Sequence, residues 1–117
     1  MRIEVVGRNV EVTDELREHI HKKFHGVARQ VSELARLEIV LWEETNPAIR
    51  DCQGAEATLY LKGTTLRAKD SSRDMSHAVN LVADEMAVQV KRHRDKRRGR
   101  REARSIGGAP AEAPQLP

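Results

Sequence analysis

Nine basic side chains crowd residues 91–104: Lys91, Arg92, Arg94, Lys96, Arg97, Arg98, Arg100, Arg101 and Arg104. Only Asp95 and Glu102 oppose them, so this stretch carries a net +7, while the other residues hold 12 basic and 16 acidic side chains, a net of −4. Guanidinium and ammonium groups gathered at one end of a mildly acidic body are suited to an anionic partner, with phosphate contacts the expected chemistry. The plainer reading is a solvated, solubilising run of charge.

Side chains for covalent or metal chemistry are sparse. His21 and His25 stand four apart on a predicted helix and could share a metal, yet no third ligand follows at a recognisable spacing. They read as surface histidines, and His19 as a residue bordering the core. A small nuclease using His21 or His25 would need a partnering Lys or carboxylate that no spacing supplies. Cys52 is the single cysteine; it excludes an intramolecular disulfide, has no nameable base and reads as a small half-buried residue. Asp84 and Glu85 are adjacent on a helix, point in different directions and read as a solvated face. No glycine-rich phosphate cradle, metalloprotease helix or nucleophile elbow occurs. The expectation is a non-enzyme with no catalytic residue, no metal and no cofactor.

The elements that position the charge follow from periodicity. A last helix is expected over residues 71 to about 98, with Met75, Val79, Val82, Met86 and Val90 on one line that His93 and Arg97 continue after the apolar residues stop. Ser71 and Asp74 fit a capping box, and Gly99 is the first plausible terminator. Upstream, residues 1–7 read as a strand with Ile3 and Val5 on one face. Thr13 caps a helix whose stripe is Leu16, Ile20, Phe24, Val27 and Val31, with a bend or early end near Gly26. From Arg36 the period becomes two: Leu37, Ile39 and Leu41 face one way, Glu38, Val40 and Trp42 the other. Residues 43–51 read as a loop, followed by a strand with Ala55, Ala57, Leu59 and Leu61 inward and Tyr60 outward. Lys62-Gly63 turns the chain into a fourth strand over 64–70 with Leu66 and Ala68 inward.

The order is β-α-β-β-β-α, an α+β two-layer sandwich in which a four-stranded mixed sheet carries two helices on one face. Residues 1–98 are expected to form one domain, and 99–117 a charged then Gly- and Pro-containing flexible tail. With one Phe, one Trp and one Tyr in 117 residues, the core is built mainly from aliphatic side chains. No apolar run reaches membrane-spanning length and no signal segment opens the chain, so a cytoplasmic protein is expected. Lys22, Lys23, His25 and Arg29 on the first helix, with Lys91, Arg92 and Arg94, could line one positive groove, and Arg8 could join it from the side. Trp42 and Tyr60 on the open sheet face could stack on bases, although covering that face or meeting a protein neighbour is the favoured reading.

Several stretches resemble the ribosome hibernation-promoting factor family, also called the ribosome-associated inhibitor or protein Y family. They are VVGRNVEVTDELREHIHKKF, LEIVLW, AEATLYL and above all LRAKDSSRDMSHAVNLVADEMAVQVKRHR, and the similarity covers about residues 1 to 96. The family's last-helix motif is present as Asp74, Met75, Ala78 and Val79, while Ser76 and Asn80 stand where an aromatic and an Asp are usual. The resemblance implies a fold similar to a double-stranded-RNA-binding domain. It also implies binding to the small ribosomal subunit near the decoding centre, with messenger and transfer RNA positions blocked in idle ribosomes. By position it puts RNA contacts on Arg8, Lys22, Lys23, Arg29, Lys91, Arg92, His93 and Arg94; the charge that follows suggests Lys96, Arg97 and Arg98 as supplementary contacts. The implied partners are the small subunit and its ribosomal RNA, with no DNA and no membrane, and a monomer off the ribosome. A general structured-RNA binder or a protein-interaction module are the alternatives. Long family members add a second domain after a linker that pairs two ribosomes; a charged stub and a Pro-containing tail follow the body here, so pairing of ribosomes by that domain is not expected.

Overall fold

A computed structural model describes residues 1–105 except Pro47 and Asp51. The chain forms β1 (Arg2–Arg8), α1 (Asp14–Lys23), α2 (His25–Ala28), β2 (Arg36–Glu43), β3 (Gln53–Leu61), β4 (Thr64–Ser72) and α3 (Met75–Ser105). The sheet order is β1-β2-β3-β4. β1 and β2 run parallel because a helical crossover joins them, and the other pairs are antiparallel as short links require. The expected α+β sandwich of a mixed four-stranded sheet under helices is thus the observed architecture. The Gly- and Pro-containing segment 106–117 lies outside the described residues.

Alternation sets the inward face. Ile3, Val5, Leu37, Ile39, Leu41, Ala55, Ala57, Leu59, Leu66 and Ala68 sit at register positions that share one side of the sheet. Ile20, Phe24 and Val27 from the first helical segments and Val79, Val82, Met86 and Val90 from α3 close over them. Each such large side chain contributes about 1.5–3 kcal/mol by leaving water. Small Ala55, Ala57 and Ala68, all buried, let α3 lie close over β3 and β4.

The first helix ends near Gly26, as expected, with the break itself at Phe24. Thr13 caps it, its Oγ1 accepting from the Leu16 amide at 3.1 Å. Phe24 then leaves helical geometry at φ −91°, ψ 3°, separating α1 from α2. The break thus falls just before Gly26, which is exposed with open space where a Cβ would stand. Phe24 is 0% exposed; the buried ring sits where the backbone turns, and the apolar line runs on through Val27.

The start of α3 also differs from the expected Ser71 cap. Ser71 and Ser72 belong to β4, and Asp74 is the residue before the helix, its carboxylate accepting from the Ser76 amide at 3.4 Å. Ser72 Oγ accepts from the Asp74 amide and meets His77 Nδ1 at 2.7 Å. At the other end α3 passes through Gly99 instead of stopping there.

Trp42 and Tyr60 do share the outer sheet face, and each is half-buried beneath a cation. Lys69 Nζ stands 5.4 Å from the Trp42 ring, and the Arg36 guanidinium 4.2 Å from the Tyr60 centroid. Arg36 is held there by Glu4 at 3.1 Å, which also pairs with Arg2. The Trp42 ring occupies the space a side chain at Gly54 would need. Gly54→Ala is therefore expected to displace the indole and cost about 1–3 kcal/mol, seen as a red shift of Trp42 fluorescence with a lower denaturation midpoint.

Candidate nucleic-acid interface

Among the described residues Val90 is the last deeply buried one of α3, at 2% exposure. Beyond it residues 91–105 continue for about 22 Å at 1.5 Å per residue, past the strands that the helix covers. Lys91, Arg92, Arg94, Lys96, Arg97 and Arg98 are all exposed there, and His93 is half-buried. The apolar line ends because the sheet beneath it ends, and the same helical face continues in cations.

Contacts on either flank of α3 orient these side chains. On the flank toward α1, His19 Nε2 lies 2.8 Å from Asn80 Oδ1 and 3.3 Å from the Ser76 carbonyl. A carbonyl only accepts, so Nε2 carries the proton and His19 donates to α3. Further along, Arg94 donates to Gln30 Oε1 at 2.9 Å. Helical spacing places Lys91, Arg94 and Arg98 on this flank of α3, and Lys23, one turn after His19, on the matching flank of α1, nearer the packed part of α3 than its outer end. Lys22 and Lys23 sit in the last turn of α1, where cations complement the helix dipole. Arg29 is exposed just after α2. Arg92 and Lys96 fall on the other flank, in line with Gln89.

Arg8 is not part of this group. It ends β1, registers against Trp42 and borders a hollow of the outer sheet face with Trp42, Glu56 and Lys69. The fold thus puts Arg8 and the helical cations on opposite sides of the sheet. Two neighbours carry no sequence signal of a site: Gln30 and Lys62 line a pocket with His93, Arg94, Arg97 and Arg98. Lys62 looked like any polar turn residue, since only strand register brings the β3–β4 hairpin, with Gly63 at φ +79°, beneath the end of α3.

Glu85 corrects the reading of Asp84-Glu85 as a solvated pair. Asp84 is exposed, but Glu85 reaches β4. The hydrogen bond with Asp70, then burial and then repulsion by the Asp70 charge push its carboxyl up to about 7, against a smaller pull from the Lys69 amide. Asp70 is held below the ordinary range by that same bond and by the Ser71 amide. Gln89 donates to the Arg67 carbonyl, so two α3 side chains cover the outer edge of β4, which would otherwise present unpaired backbone groups. A raised folded-state pKa means that stability from Glu85 is fully present below its unfolded value near 4.5 and is lost as pH rises through about 7. Glu85→Gln, which donates at every pH, is expected to match the parent near pH 5 and exceed it at pH 8. Solvent on the outer side limits the gain to on the order of 1 kcal/mol, measurable by urea denaturation at the two pH values.

His21 and His25 are exposed, and Cys52 is half-buried beside Gln53. Among the described residues no group of three or more His, Cys, Asp or Glu could hold a metal ion, and no helix is long and apolar enough to cross a membrane.

Fold and charge together define a class: a small two-layer α+β module whose helices carry exposed cations, most densely at the outer end of α3. The family model described as sigma 54 modulation protein / S30EA ribosomal protein matches residues 3–98. The chain belongs to that family, the ribosome hibernation promoting factor and protein Y family. It is similar to the ribosome hibernation promoting factor of Salmonella typhimurium, 32% identical over 82% of this chain and 96% of that protein. It is 26% identical to the ribosome hibernation promotion factor of a Picosynechococcus strain over 86% of this chain, but spans only 53% of that relative's length. The crystal structure of the Thermus thermophilus protein Y N-terminal domain superposes with a TM-score of 0.69 at 28% identity, covering 80% of this chain and 99% of that one.

Proposed function

We propose that this chain binds the small ribosomal subunit through its ribosomal RNA near the decoding centre and keeps messenger and transfer RNA out of idle ribosomes by occupying their positions. The observation that carries the reading is the cationic end of α3, whose exposed Lys91, Arg92, Arg94, Lys96, Arg97 and Arg98 follow directly after buried Val90. Membership of a family whose curated relatives are named for ribosome hibernation supports it. Lys22, Lys23, Arg29, Lys91, Arg92, His93 and Arg94 contact the RNA, Lys96, Arg97 and Arg98 supplement them, and Arg8 makes a separate contact from the sheet side. Similarity to a double-stranded-RNA-binding domain is part of this proposal, with the helix layer meeting RNA. The action is steric, needs no cofactor, and is performed by a monomer in the cytoplasm.

Phosphate contacts release counterions, so binding weakens steeply with salt. Co-sedimentation with purified small subunits should show pelleting at low salt that falls as salt rises. No pelleting at low salt overturns the proposal. Equal competition by generic duplex RNA points instead to a structured-RNA binder without ribosome preference.

A further inference from the structure

A pocket of about 230 Å³ lies under the outer end of α3, between the segment after α2 and the β3–β4 hairpin. It is smaller than the roughly 300–1,000 Å³ that drug-sized ligands occupy, so it suits one flat ring with a substituent. Val31, Leu61 and Val90 give it an apolar floor, while His93, Arg94 and Arg97 give it polar walls. His93 Nε2 is buried and has no hydrogen-bond partner among the described residues. Such an atom is costly to leave unpaired, and a turn of the ring toward the pocket would let the edge of a ligand satisfy it. Arg94 is already tethered by Gln30 at 2.9 Å, so little side-chain freedom remains to be lost on binding.

We infer that this pocket takes one unstacked nucleotide of an RNA strand, its base on the apolar floor against His93 and Arg94 and its phosphate on Arg97. The inference rests on the RNA-binding reading and deepens it: phosphate contacts of the exposed cations position the protein, and the pocket selects RNA that has an extruded base. Imidazole rings and guanidinium planes are surfaces on which splayed-out bases stack, whereas bases inside a duplex are held by pairing and stacking. The outer sheet face offers a poorer platform, because Trp42 and Tyr60 are each covered by a cation.

The test uses the full chain and two RNA hairpins that differ only in one bulged nucleotide. The bulged hairpin should bind about five- to tenfold tighter at equal salt. Val31→Phe, which fills the pocket without removing a charge, should bring the ratio of the two affinities to one. In NMR titrations, adenosine 5′-monophosphate should shift the His93 ring and the Val31, Leu61 and Val90 methyls at lower concentration than inorganic phosphate or adenosine alone. Free-nucleotide binding without a bulge preference would overturn the inference in favour of a small-molecule site. Equal shifts with inorganic phosphate would overturn it in favour of a simple anion site. Small-subunit binding with no bulge preference sinks this inference and leaves the proposed function standing; a bulge preference without small-subunit binding does the reverse.

Discussion

Replacing Lys91, Arg92 and Arg94 together by alanine is expected to weaken binding to small ribosomal subunits by about a hundredfold at physiological salt. The three side chains are exposed, and surface substitutions of this kind usually change stability by about 0.5 kcal/mol or less. The Gln30 bond of Arg94 is the one described intramolecular hydrogen bond lost. The loss should therefore lie in phosphate contact. Its signature is the slope of log affinity against log salt, which should fall in magnitude by about 2–3, close to one unit per cation removed. An unchanged slope would mean that the overhang does not touch RNA. Arg8→Ala is the informative control, because Arg8 lies across the sheet from the helical cations and should change the slope by about one unit at most.

Phe24→Ala is expected to have the largest effect on folding, about 3–5 kcal/mol, a large share of the roughly 5–15 kcal/mol that holds a small domain together. Phe24 is the only phenylalanine and is fully buried. It sits at the join of α1 and α2, so its loss leaves a cavity beneath both helical segments. The backbone around it is fixed by hydrogen bonds of 2.9 Å from its own amide to the Ile20 carbonyl and from the Ala28 amide to its carbonyl, which limits collapse into the gap. Urea denaturation should show a midpoint shift with little change in slope. A loss below about 1 kcal/mol would mean that neighbouring side chains close the cavity, and that the two helical segments depend less on this ring than its burial indicates.

Much of the fold was legible because burial imposes a period on the chain. The alternation from Leu37 to Leu41 and from Ala55 to Leu61 follows the strands as they are, and the stripe from Met75 to Val90 marks the packed part of α3. Local signals were weaker where two neighbouring residues could perform one task. Ser71 and Asp74 both resemble caps, and the extent of β4 decides between them, since pairing of Ser71 with Gly54 and of Ser72 with Gln53 keeps both serines in the strand. Gly26 marked a break that Phe24 makes, because the demand came from a ring buried in the core.

Among the candidate site residues, their number and charge belong to the sequence and their grouping to the tertiary structure. Composition alone separates a +7 stretch from a −4 remainder, since charge adds without reference to folding. Side-chain periodicity alone says that α3 stops being buried near Val90. Which cations face which neighbour depends on how α1, α2 and the β3–β4 hairpin dock, and that is set by contacts between residues far apart in the chain, such as Arg94 with Gln30 and His19 with Asn80. The same long-range packing takes Arg8 to the other face, raises Glu85 by bringing it to Asp70 and forms the pocket at His93. Local periodicity records what each segment must bury, and only the closed core determines what each exposed side chain meets.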